Sequence, residues 1–101
     1  PILDVQRDQR WGRYEEAYGE SPFLCSQLGL QQVLGIQQSR VVSTPKHFTM
    51  YSIPKGARGW NVQADPKTGP RDAEMLINWP FKTAFEEGKA LGVMTAYTDY
   101  D

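Results

Sequence analysis

Cysteine occurs once in these 101 residues, at Cys25. No internal disulfide can form, and the redox compartment cannot be read from it. Net charge is also nearly absent: 11 basic side chains face 12 acidic ones, a formal balance of -1. That balance gives no electrostatic case for nucleic acid or for an anionic membrane surface. No apolar run approaches the roughly 20 residues needed to cross a bilayer. No signal-peptide pattern opens the chain, and no N-x-S/T sequon is present. No glycine-rich phosphate loop follows an apolar run, which disfavours a nucleotide fold of the usual kind. Histidine too occurs once, at His47. No His/Cys cluster has metal-ligand spacing, so neither a metal nor a cofactor is expected. Ser43 and Cys25 lack evident His–acid partners for nucleophilic work. No two carboxylates stand out as acid and nucleophile, and Asp99 and Asp101 read as turn formers.

What is present alternates. Ile2-Leu3-Asp4-Val5 is a short, largely apolar run read as a buried strand. Ser21-Pro22 has the chemistry of a helix start, a capping hydroxyl followed by proline at the first helical position. Leu24, Leu28, Leu30 and Val33-Leu34 then follow at helical spacing as one apolar stripe. Cys25 reads as a small packed hydrophobe, and Gly35 as a helix end or a close-packing point. Arg40 to Phe48, with its β-branched Val41 and Val42, is a second strand. The irregular stretch Thr49 to Thr68, with Tyr51, Arg58 and Trp60, is long enough to read as a functional loop. Gly69-Pro70 opens a second helix, with Met75, Leu76, Trp79, Ala84 and Phe85 as its packing face. Pro80 should kink or split that helix, and Gly88 is a plausible left-handed cap. Leu91 to Tyr97 closes the pattern as a third strand.

Strand, helix, strand, helix, strand implies an α/β fold with parallel strands and right-handed crossovers. The polar and aromatic residues gather after the strands. Arg10 to Tyr14 follow the first, Lys46 to Trp60 the second, and Tyr97 to Asp101 the third. In barrels and open α/β sheets, chemistry sits at the C-terminal ends of the strands. This asymmetry places Arg13, Lys46, His47 and Tyr97 in loops converging on one face. Forked guanidinium donors and flat aromatic rings suit sugar or carboxylate recognition. Alternatively, Glu15, Glu16 and Glu20 pair with the arginines in a salt-bridged surface loop. Lys46 and His47 are neighbours in sequence, so a regular strand would point them to opposite faces. For both to serve one pocket, the backbone has to be irregular there.

The run Ile2-Leu3-Asp4-Val5, then Arg7-Asp8-Gln9-Arg10-Trp11-Gly12-Arg13, Glu15-Glu16 and Tyr18-Gly19-Glu20-Ser21-Pro22, resembles the N-terminal barrel of glycoside hydrolase family 3. Lys46-His47-Phe48, Pro80-Phe81 and Val93-Met94-Thr95-Ala96-Tyr97 fit the same pattern in the same order. Gln9 stands where the family often has proline. The resemblance implies a β-α-β-α-β segment of a (β/α)8 barrel of the TIM type, incomplete over residues 1–101. A full barrel takes roughly 250 residues, and an α/β sandwich domain usually follows. On that reading the chain is a piece of a larger enzyme, not expected to fold alone.

The implied activity is exo-acting, retaining hydrolysis of terminal β-D-glycosyl residues, as in β-glucosidases and β-xylosidases. The implied partners are a β-linked glucoside or xyloside oligosaccharide and the rest of the same enzyme. Arg13, Lys46 and His47 are then sugar-binding residues of the terminal subsite, and Tyr97 lies near the reacting centre. The resemblance also implies a non-proline cis peptide at the Lys46-His47 pair. The nucleophilic Asp and the acid/base Glu are expected outside this chain, and a periplasmic or extracellular location is expected. The alternative is a non-catalytic carbohydrate-binding or structural barrel relative that lacks the nucleophile, or an unrelated α/β binding module.

Overall fold

A computed structural model describes residues 1–53 and 66–99. Arg58, Trp60 and most of the loop they belong to lie outside the described residues, as does Asp101. Three extended segments run side by side, with the middle one spanning residues 43–48. Leu3 N–H donates to the Lys46 carbonyl (2.7 Å) and Lys46 N–H to the Pro1 carbonyl (2.9 Å). On the other edge, Gly92 N–H reaches the Ser43 carbonyl (3.2 Å), Met94 N–H the Pro45 carbonyl (3.0 Å) and Ala96 N–H the Phe48 carbonyl (2.7 Å). The pairing is parallel, at Ile2 with Lys46 and at Phe48 with Thr95.

These segments correct the expectation of three regular strands. Among the described residues the pairing consists of isolated bridges, not continuous ladders. Two causes are visible in the middle segment. Pro45 has no N–H to return to the third segment. The His47 N–H is diverted to the Asp4 side chain (3.1 Å), so Phe48 N–H, one residue later, takes the Met94 carbonyl (2.9 Å). Lys46-His47 is a cis peptide, as is Phe48-Thr49, which the sequence did not signal.

Helix α1 spans Pro22–Gln38. Ser21 caps it as expected, its hydroxyl accepting from Leu24 N–H at 3.3 Å. Its buried face keeps only Leu30 and Val33 of the expected stripe. Cys25, Ser26, Gly29, Leu30 and Val33 are buried, while Leu24, Leu28 and Leu34 are exposed. Small residues on that face let the helix lie close on the first segment, and a side chain at Gly29 would collide with Leu3. Gly35 ends nothing and meets no close neighbour. Arg40, expected to begin a strand, is left-handed at φ 59°.

The second helical region is split, as Pro80 suggested. A short α2, Pro70–Asp72, leads into a π-helical stretch, Ala73–Ile77, and a break at Asn78. Helix α3, Trp79–Glu86, follows with Pro80 in its first turn. Phe81 and Ile77 are buried in place of the expected Trp79 and Met75, which are exposed. The left-handed residue after α3 is Lys89, at φ 51°, not Gly88. Gly88 instead allows close packing: a Cβ there would stand 2.7 Å from the Ala84 carbonyl and 3.0 Å from Val33 Cγ1.

The main core joins Leu3 of the first segment, Val33 of α1, and Phe81 and Ala84 of α3, flanked by Tyr18, Phe85 and Ala90. Met50, Ala73 and Ile77 form a second cluster. Gln37 clamps the end of α1 to the start of the third segment. Its Nε2 donates to the Gly88 (3.1 Å) and Lys89 (3.2 Å) carbonyls, and its Oε1 accepts from Leu91 N–H (3.1 Å). Thr49 ties three regions together. Its hydroxyl donates to Asn78 Oδ1 (2.6 Å), and its carbonyl accepts from the Thr98 hydroxyl (2.7 Å).

Candidate functional site

The loop after the first segment is shaped by two single turns, Gln9–Trp11 and Tyr14–Glu16. Asp8 caps the first, accepting from Arg10 N–H at 2.9 Å. The Arg10 side chain bonds the same carboxylate, and these contacts hold the Asp8 carboxyl down at about 2. Gly12 follows at φ 82°. A residue with a Cβ is disfavoured there by about 1–2 kcal/mol, so glycine is what lets the chain reverse between Trp11 and Arg13. Trp11 is buried and meets Tyr51 edge-on at 6.1 Å between ring centroids. The reversal carries Arg13 back over the second segment.

There Arg13 meets His47, with Nη1 3.0 Å from Nε2. Its Nε and Nη2 donate to the two oxygens of Glu16, each at 2.6 Å. This forked pair raises the Arg13 guanidinium and lowers the Glu16 carboxyl. Partial burial of Glu16 opposes that lowering, while the positive charges of Arg13 and Lys46 add to it. Lys46 therefore acts electrostatically on the same carboxylate as Arg13. The salt-bridge alternative holds for Glu16, which pairs with Arg13, whereas Glu20 accepts from the Tyr14 hydroxyl at 3.1 Å. Pairing with Glu16 does not exhaust Arg13. Its guanidinium has five N–H donors; two go to Glu16 and one to His47. The Tyr51 hydroxyl also stands beside it.

His47 is 1% exposed and Asp4 3%. His47 Nδ1 lies 2.8 Å from Asp4 Oδ2, the oxygen that also receives the His47 N–H. Leu3 packs against α1 while Asp4, the next residue, faces His47, as alternation along an extended segment requires. The His47 ring also lies 4.4 Å from that of Tyr51, and Tyr51 lies 6.2 Å from Tyr97. Tyr97 is 69% exposed at the rim. So the structure brings Arg13 and His47 into contact and links Tyr97 to them through Tyr51, while Lys46 acts on their neighbour Glu16 through its charge. Asp4 was not among the residues singled out, and Tyr51 was named only as part of the loop Thr49 to Thr68. Asp4 lay hidden in an apolar run, where the one available signal was a carboxylate between Leu3 and Val5.

Among the described residues, no group of acidic, histidine or cysteine side chains could hold a metal. Cys25 is buried and donates weakly to the Gly19 carbonyl (3.3 Å). Burial pushes its thiol up to about 11, which leaves it inert at neutral pH.

A β-xylosidase from Formosa agariphila is 34% identical over 110 residues, covering all of this chain and 15% of the relative. β-D-Xylosidase 1 of Arabidopsis thaliana is 32% identical over 96% of the chain and 13% of its own length. Among solved structures, a β-glucosidase from Listeria innocua superposes with a TM-score of 0.84 at 31% identity, covering all of this chain and 15% of its own. A β-glucosidase from Erythrobacter marinus does so at 0.86 and 29%, with 14% of its length covered. The chain thus spans about one seventh of the relatives it matches. The model of the glycosyl hydrolase family 3 N-terminal domain matches residues 1–101, and the chain belongs to that family.

Proposed function

We propose that residues 1–101 form the β-α-β-α-β part of a (β/α)8 barrel in a retaining, exo-acting β-glycosidase. In it Arg13, Lys46, His47 and Tyr97 surround the terminal sugar. The observation that carries this reading is the 3.0 Å contact between Arg13 and His47. It joins side chains 34 positions apart at the ends of two neighbouring parallel segments, the end of an α/β sheet where ligands bind. A neutral sugar needs fixed donors, and Arg and Lys supply them without titrating near neutrality. Contacts to ring hydroxyls hold the sugar for attack, and some strengthen as oxocarbenium character develops. A retaining mechanism also needs two carboxyl groups about 5 Å apart; on this reading both lie outside residues 1–101. The β-xylosidases and β-glucosidases among the relatives support a β-xyloside or a β-glucoside as the substrate class.

The test is Lys46→Ala in the complete enzyme, assayed on an aryl β-xyloside and an aryl β-glucoside. Losing one hydrogen bond from a charged donor costs about 1.5–3 kcal/mol, or roughly a 10- to 150-fold fall in kcat/KM. A change within about twofold would remove Lys46 from the sugar site.

A further inference from the structure

Asp4 carries no assigned role, yet it is the most buried acid in the described chain, and two hydrogen bonds from His47 end on one of its oxygens. On the far side of the imidazole stands Arg13. A guanidinium has donors only, so Nε2 of His47 has to be the acceptor in the Arg13 contact. The ring proton then sits on Nδ1, facing the Asp4 carboxylate. Which ring nitrogen of a histidine carries the proton is set by the bond the other one makes.

We infer that Asp4 is a positioning residue for the sugar site. It holds His47 in the one tautomer and plane that present a lone pair to Arg13, and thereby aims the guanidinium at the substrate. The inference rests on the carbohydrate reading above and adds a residue to it. Asp4 touches no sugar; it acts through His47. Glu16 holds the opposite edge of Arg13, so the guanidinium is braced from both sides. Replacing Asp4 by asparagine keeps the shape but offers Nδ1 either an amide donor or a weaker neutral acceptor. An amide donor favours the other tautomer, whose Nε2–H points at Arg13.

The experiment is a double-mutant cycle in the complete enzyme, with Asp4→Asn, Arg13→Ala and the pair, read as kcat and KM on an aryl β-xyloside and an aryl β-glucoside. Asp4→Asn alone should lower kcat/KM about tenfold or more, the size expected of one charge-assisted hydrogen bond, with much of the change in KM. In the Arg13→Ala background the same change should cost less than about twofold, because its effect passes through Arg13. Additive losses would make Asp4 a general structural acid and overturn the inference, as would an unchanged Asp4→Asn enzyme. If Asp4→Asn lacks a cooperative melt, Asp4→Glu takes its place in the cycle: it keeps a carboxylate but displaces it from Nδ1, and the same coupling or additivity decides. A wild-type enzyme that hydrolyses and binds neither glycoside overturns the carbohydrate reading, and this inference with it. An active wild type with an additive cycle overturns the inference alone.

Discussion

Glu16 and Asp4 show how differently two carboxylates can serve one arginine. Glu16 is partly exposed and bonded directly to Arg13. Its carboxyl lies below its ordinary value of 4.5 when folded, chiefly because of that bond. A carboxyl lowered on folding contributes stability that is fully present above its unfolded value and is lost as pH falls through the folded one. Wild type should therefore exceed Glu16→Gln in urea-unfolding stability at about pH 6, with the gap closing as pH drops below the ordinary carboxylate range. A gap that stays constant down to strongly acid pH would mean the pair contributes nothing through charge. The meeting of Arg13 and His47 was legible because each belongs to a short motif whose residue types carry chemistry. Asp4 was not: one acid inside Leu3-Asp4-Val5 looks like an ordinary strand residue until its partner, 43 positions away, is in place.

The helices were legible at their starts and less so along their faces. Ser21-Pro22 and Gly69-Pro70 act locally, through a cap and a preset φ, so neighbouring residues suffice to read them. Which face is buried depends on what the helix lies against. The close approach of α1 to Leu3 selected Cys25, Ser26 and Gly29 over the larger leucines. The strands were legible as extended segments and not as ladders, since Pro45 and the diverted His47 N–H interrupt the pairing from within. Gly88 is the sharpest test at this scale. Its Cβ would press on a backbone carbonyl that cannot move without disturbing α3, and on Val33 and Leu30 across the core. Gly88→Ala should destabilise the complete enzyme by about 1–3 kcal/mol, the cost of overpacking, seen as a lower urea midpoint at unchanged slope. A neutral or stabilising result would show that α1 and α3 can separate without penalty.

Across the whole molecule, apolar side chains are left facing outward. Val41 and Val42 before the middle segment and Leu91 and Val93 along the third are exposed, as are Phe23, Met75 and Trp79 on the helical side. Exposed apolar surface on this scale, together with free segment edges, normally signals a further covering layer. The separate 101-residue chain should therefore melt without a sharp cooperative transition and bind a hydrophobic dye. A steep, reversible calorimetric peak would overturn that expectation. The α/β order was legible because alternation of periodic runs survives imperfect pairing. The second cis peptide had no counterpart in composition, and the stretch around Trp60 lies outside the described residues.

Thr49 sits two positions beyond His47 and is bound at once to the helix break and to the third segment's exit. That makes it a junction through which slack can travel. Lengthening the chain near Asn78 would loosen the mooring of the imidazole, so tolerance to insertions should be lowest at that joint.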